Sequence, residues 1–139
     1  MHMFSLRYIA FLVLMLQFNG MSAQELTEFK WKKRILLIMD VNNDLPARNT
    51  QISKFVIRHD EMEERDLVLF VCTGKEVLDK DGLKTDINPD KISYGEFQGV
   101  ILIGKDGGVK LRKKFIVEPK EIFDLIDQMP MRRSEMKNR

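Results

Sequence analysis

Three runs of the chain contain no polar residue: Ile35–Leu36–Leu37–Ile38–Met39, Leu67–Val68–Leu69–Phe70–Val71–Cys72 and Val100–Ile101–Leu102–Ile103. A strand with one face in water alternates polar and apolar side chains, whereas a strand covered on both faces does not. The runs therefore predict a sheet whose central strands are buried on both sides, which needs helices or long connections above and below it. The 139 residues suffice for one such domain. With 44% hydrophobic and 32% charged residues, disorder along the whole chain is excluded.

The segments between the runs supply the rest of an α/β pattern. Asp40–Val41–Asn42–Asn43–Asp44 reads as a turn, with Asp44 as a helix cap and Pro46 in the first turn. Ile52, Phe55, Val56 and His59 then fall at i, i+3, i+4 and i+7 on one helical face. The first two runs and this helix make a βαβ unit. Glu25–Lys33 is a lead-in covering one edge. Gly74–Gln98 is irregular, with turn signals at Asp79–Lys80–Asp81–Gly82 and Asn88–Pro89 and a short helix expected over Lys91–Phe97.

After the third run, Lys105–Asp106–Gly107–Gly108 provides a tight hairpin. Val109, Leu111 and Phe115 alternate with Lys110, Arg112 and Lys114, an edge strand whose cations discourage further pairing. Glu118–Pro119 opens a last helix with Ile122, Leu125, Ile126 and Met129 on one face, and Pro130 stops it. Residues 131–139 form a basic tail expected to fray. A βαβ unit, an irregular connection, a β-hairpin and a C-terminal helix follow the order of a single thioredoxin-like domain. Fold alone does not fix function.

The chain opens with an address. Arg7 precedes the apolar run Tyr8–Leu16, and the small residues Ser22 and Ala23 stand before Gln24. A positive start, a short apolar core and a small-residue site predict a secretory signal peptide over residues 1–23. The run is far shorter than the about 20 residues a membrane-crossing helix needs, so no stable membrane span is expected. Residues 24–130 are then the domain, and the protein is expected to be secreted or periplasmic. Cleavage removes His2 and leaves His59 as the sole histidine, which closes most histidine-based catalysis.

Candidate chemistry is sparse. A thioredoxin carries Cys-x-x-Cys after its first buried strand, at a helix N-terminus that lowers the thiol pKa. Here that place holds Asp40–Val41–Asn42–Asn43–Asp44–Leu45–Pro46, and the proline that precedes the hairpin strand in a thioredoxin is replaced by Phe97–Gln98–Gly99. The single cysteine, Cys72, closes the second apolar run, where a free cysteine acts as a small hydrophobe. Asp40-x-Asn42-x-Asp44 and Asp86-x-Asn88-x-Asp90 have the opening spacing of a calcium loop. Both lack its glycine at position six and glutamate at position twelve, so capping roles are expected. Gly104–Gly108 lacks the Gly-Lys-Ser/Thr ending of a phosphate loop. No motif calls for a cofactor or a metal.

One cationic surface remains. Lys110, Arg112, Lys113 and Lys114 with Arg132 and Arg133 could form a positive patch. Aromatic interleaving is absent beyond Phe115, and 23 Lys+Arg stand against 21 Asp+Glu, so nucleic acid is a poor fit. For an exported protein the fitting polyanion is an acidic polymer outside the cytoplasm.

A resemblance covers nearly all of the mature chain. Trp31–Lys32–Lys33–Arg34, Gln51, Glu64–Arg65–Asp66, Leu102–Gly108 with Lys110, and the ending Ile126–Asp127–Gln128–Met129–Pro130–Met131–Arg132 carry it. Together they resemble a domain-of-unknown-function family shared by vertebrate sushi-repeat and coiled-coil-domain matrix proteins and by small exported bacterial proteins. The resemblance implies a thioredoxin-like fold without redox cysteines and an extracellular setting, and it implies no catalytic residues. The reading is thus an exported, non-catalytic module that binds a macromolecular partner or extracellular polymer. The rival is a one-cysteine redox enzyme using Cys72, and a carboxylate-based hydrolase around Asp40 and Asp44 has no supporting spacing.

Overall fold

The structure is a computed structural model that describes residues 25–139; the expected signal peptide lies outside them. Strands β1 (Arg34–Met39), β2 (Leu67–Cys72), β3 (Val77–Leu78), β4 (Gly99–Ile103) and β5 (Val109–Lys113) form one sheet in the order β3-β2-β1-β4-β5. β1 runs parallel to β2, with Arg34 opposite Leu67 and Met39 opposite Cys72, and antiparallel to β4. Every residue of β1 and β4 is buried, which is what an apolar run without alternation requires.

Helices α1 (Leu45–Val56), α2 (His59–Glu64), α3 (Pro119–Asp127) and α4 (Pro130–Lys137) follow. On one face of the sheet, Leu36, Ile38, Leu69 and Leu102 pack with Phe55 of α1, Met62 of α2, and Ile122, Phe123 and Ile126 of α3. Phe55 and Phe123 meet edge to face, their centroids 6.1 Å apart. Gln51, wholly buried on α1, donates to the Val117 carbonyl at 2.8 Å and accepts from the Val117 amide at 2.7 Å. That reciprocal pair satisfies a buried amide and ties α1 to the approach to α3.

The other face carries Ile35, Leu37, Phe70, Cys72, Ile101 and Ile103. It is covered by the 3₁₀ turn Leu26–Phe29 and by Ile87, Ile92, Tyr94 and Phe97 of the irregular connection. The helix expected over Lys91–Phe97 is absent. Only Pro89–Lys91 makes a 3₁₀ turn, capped by Asn88, because Ile92 and Tyr94 lie at a spacing of two and cover the sheet in extended form.

Two further expectations are corrected. The helix expected to include His59 ends at Val56, and α2 begins at His59 after the exposed Ile57. The tail expected to fray is helical: Pro130, rather than only stopping α3, starts α4, where a residue without an N–H fits the first turn. Lys114 and Phe115 lie beyond the end of β5.

Candidate functional site

In a domain of this order the natural place for chemistry is the carboxyl end of β1, beside the start of α1. Asp40 occupies it with no exposure. Its Oδ1 accepts from the Asp44 amide at 2.8 Å and from the Gln98 side-chain amide, and its Oδ2 lies 3.1 Å from Arg48 Nε, although poorly aligned for a hydrogen bond. Arg48 is itself buried and reaches Asn43 Oδ1 at 3.3 Å. Asp44 caps α1 by accepting from the Ala47 amide. Gln98 thus stands where the thioredoxin proline would be and holds the loop in its place. Gly99 has φ +154°, and a Cβ there would run into the Lys113 carbonyl and Lys114 backbone of the neighbouring strand. The result is a polar lock that puts carboxylates and amides, rather than a thiol, at the start of α1.

Cys72 ends β2 and is 2% exposed. Burial pushes its thiol above the ordinary value, only partly offset by a hydrogen bond from the Gly74 backbone. A thiol raised in this way holds little thiolate at neutral pH, and thiolate is the nucleophile. His59 is exposed rather than packed on the apolar face, and its Nε2 lies 3.0 Å from the Glu63 carboxylate. Of the calcium-type spacings, Asp40 and Asp44 serve the lock and cap, and Asn88 Oδ1 accepts from the Asp90 amide at 2.9 Å. Among the described residues no cluster of three or more His, Cys, Asp or Glu is placed to hold a metal ion.

A second polar assembly lies at the opposite end of β1. Arg34, 1% exposed, makes a fork to the Glu135 carboxylate (3.2 and 3.3 Å) and donates to the Arg65 carbonyl at 2.8 Å. Lys105 joins Glu135 to Asp66. Arg65 grips Asp127 through two bonds of 3.0 and 2.9 Å and lies 4.6 Å over the Phe123 ring. Arg132 donates to Asp127, to Glu64 Oε1 and to the Glu64 carbonyl. Burial raises the carboxyls of Asp66, Asp127 and Glu135, yet the bonds and charges of Lys105, Arg65, Arg132 and Arg34 outweigh it and hold all three below their ordinary values. Arg34, Glu64–Arg65–Asp66, Lys105 and Asp127…Arg132 are among the residues that carried the family resemblance. They form one ionic clasp that seats α4 on the sheet.

That clasp also corrects the cationic patch. Arg132 is 1% exposed and belongs to the interior, because two carboxylates and a carbonyl satisfy its guanidinium. The remaining cations do not share a face. Arg112 lies 4.3 Å over Phe97 on the helix-free side of the sheet, while Lys113 pairs with Glu121 of α3 on the other side. Strand alternation separates neighbours in this way. Lys110 is paired with Asp106 at 2.9 Å. Lys114 and Arg133 are exposed. Sequence reasoning missed Arg34, Lys105 and Glu135 as a unit, since each gains its meaning from a partner far along the chain.

The parallel pair β2-β1, the antiparallel pair β4-β5 and the closing helix define a thioredoxin-like α/β domain with a single cysteine. Solved structures agree: over 82% of this chain and 84% of theirs, the mitochondrial 2-Cys peroxiredoxin of Plasmodium falciparum matches at TM-score 0.53 with 18% identity. The reduced 2-Cys peroxiredoxin of Plasmodium vivax matches at TM-score 0.51 and 20% identity over 78% of this chain and 72% of that one. At such identities the likeness concerns the fold alone. Residues 25–135 match the domain of unknown function DUF4174, and the chain belongs to that family. It is 27% identical over 136 residues to coiled-coil domain-containing protein 80 of Danio rerio, covering 80% of this chain and 15% of that protein's length.

Proposed function

We propose that the protein is an exported, non-catalytic thioredoxin-like module that binds a macromolecular partner or an acidic polymer outside the cytoplasm. The observation that carries the reading is the lock at the start of α1. Where a thioredoxin-like enzyme needs a thiol, Asp40 is committed to Arg48, Gln98 and the Asp44 amide. A carboxylate there would also raise the pKa of any thiol brought beside it. The rival, a one-cysteine enzyme using Cys72, requires the thiol to leave an apolar interior and to ionise against its burial. The residue-level resemblance to matrix-protein domains and the signal-type start of the chain support an extracellular or periplasmic setting.

Binding is testable on Arg112, Lys114 and Arg133, exposed cations of the expected patch that have no carboxylate within 4 Å among the described residues. Wild-type protein and the triple variant Arg112→Glu, Lys114→Glu, Arg133→Glu are passed over an immobilised acidic polysaccharide and over native envelope and medium fractions. Salt-sensitive retention of the wild type, lost in the variant, is the expected result. Equal behaviour of the two proteins would remove the polymer-binding reading and leave a protein partner at another surface.

A further inference from the structure

The helix-free face of the sheet contains a cleft of about 350 Å³. It exists because that face has no helix. The turn Leu26–Phe29 and the strip Ile92–Tyr94 border it on two sides, and the hairpin at its end brings Gly104 and Gly107, where a side chain on Gly107 would meet the stem of Lys30. Gly107 has φ +83°, so the turn favours glycine on backbone grounds as well. The floor is Ile35 and Ile103, with Leu26 and Ile92 as walls. The volume lies within the range of small-molecule sites. At about 30 Å³ per group it holds roughly a dozen non-hydrogen atoms.

The rim is cationic. Lys30, Lys33 and Lys91 line the cleft, and the one carboxylate lining it among the described residues, Asp106, is already bonded to Lys110 and to the Gly108 amide. Lys33 has a single distant partner, Asp66 at 3.8 Å. Neither Lys30 nor Lys91 has a carboxylate within 4 Å among the described residues. An inorganic anion would leave the apolar floor uncovered, and a neutral hydrocarbon would leave the Lys30 and Lys91 ammonium groups without counter-charge. A molecule with both parts satisfies both.

We propose that this cleft is a binding site for a small amphipathic carboxylate, its apolar body on Ile35 and Ile103 and its carboxylate among Lys30, Lys33 and Lys91. The site is separate from the lock at Asp40 and meets the clasp around Arg34 only through Lys33, whose partner is Asp66. It needs no covalent chemistry and stands whether or not the protein binds a macromolecule.

The test uses decanoate below its micelle concentration, with decanol and acetate as probes that keep only the chain or only the charge. Trp31, the one tryptophan, sits beside Lys30, whose ammonium lies 5.5 Å from its ring, so its emission reports occupancy. Amide shifts over residues 103–107 locate the ligand. Decanoate should saturate the signal, with acetate and decanol each about tenfold weaker or worse. The double variant Lys30→Glu, Lys91→Glu changes two exposed side chains, its fold checked by circular dichroism. It should weaken decanoate by about fivefold to tenfold. Absence of saturable binding, shifts that map to the α1–α3 face, or an affinity indifferent to the charge reversal would each overturn the proposal.

Discussion

Arg132 was legible in the sequence as a cation but not as an interior one. Its neighbours Met131, Arg133 and Ser134 are exposed and read as a solvated tail. Its partners Glu64 and Asp127 arrive only through the fold. Removing one member of a buried ion pair strands the other, at a cost of roughly 3–5 kcal/mol. Glu64 is half exposed, so Arg132→Ala belongs at the low end, about 3 kcal/mol by urea denaturation. Arg132→Lys keeps the charge, loses the fork and should fall between. A loss under about 0.5 kcal/mol for the alanine variant would place the side chain at the surface after all. Cys72 was legible in full, because its position at the end of an apolar run already implied burial. Its thiol should react with Ellman's reagent only as the protein unfolds, and labelling as fast as free cysteine under native conditions would contradict its place in the core.

At the scale of elements, β1, β2 and β4 were readable because burial on both faces removes polar residues from the sequence itself, and β5 from its alternation; the two-residue β3 was not. The segment Lys91–Phe97 and the helix α4 were not, since one follows the sheet in extended form and the other is held by distant charges. Helix α3 places Ile126 with no exposure against the sheet. Ile126→Ala should cost on the order of 2–5 kcal/mol in chemical denaturation, and a surface-like loss would contradict the packing. Helix α4 depends on carboxylates. Asp66, Asp127 and Glu135 have folded-state pKa values below their ordinary 3.8, 3.8 and 4.5. In that acid window the unfolded chain binds more protons than the folded one, so stability rises with pH there. The stabilisation is complete above the usual carboxylate range and declines as pH falls below about 4. Hydrogen exchange, corrected for intrinsic rates, should show α4 losing protection ahead of β1 on acidification. Glu135→Gln should make α4 less protected at neutral pH and less responsive to acid. Equal protection of α4 at pH 3 and pH 6 would contradict the clasp.

For the whole molecule, the order of elements sufficed for the thioredoxin-like topology, because a βαβ unit followed by a hairpin and a helix leaves few ways to cover one sheet. The second face did not follow from the same pattern, and it is there that the amphipathic cleft lies. The export reading is checked by mass spectrometry of the protein recovered outside the cytoplasm, which should begin at Gln24; recovery only with Met1 intact on membranes would contradict it. The proposed function gives this thioredoxin-like domain no redox chemistry. The most direct measurement of that claim is turnover of hydrogen peroxide and of a disulfide substrate with excess dithiol, comparing wild type with Cys72→Ser at equal folded concentration. The expected result is no turnover above the reagent blank for either protein. Turnover by the wild type that disappears in Cys72→Ser would contradict the account.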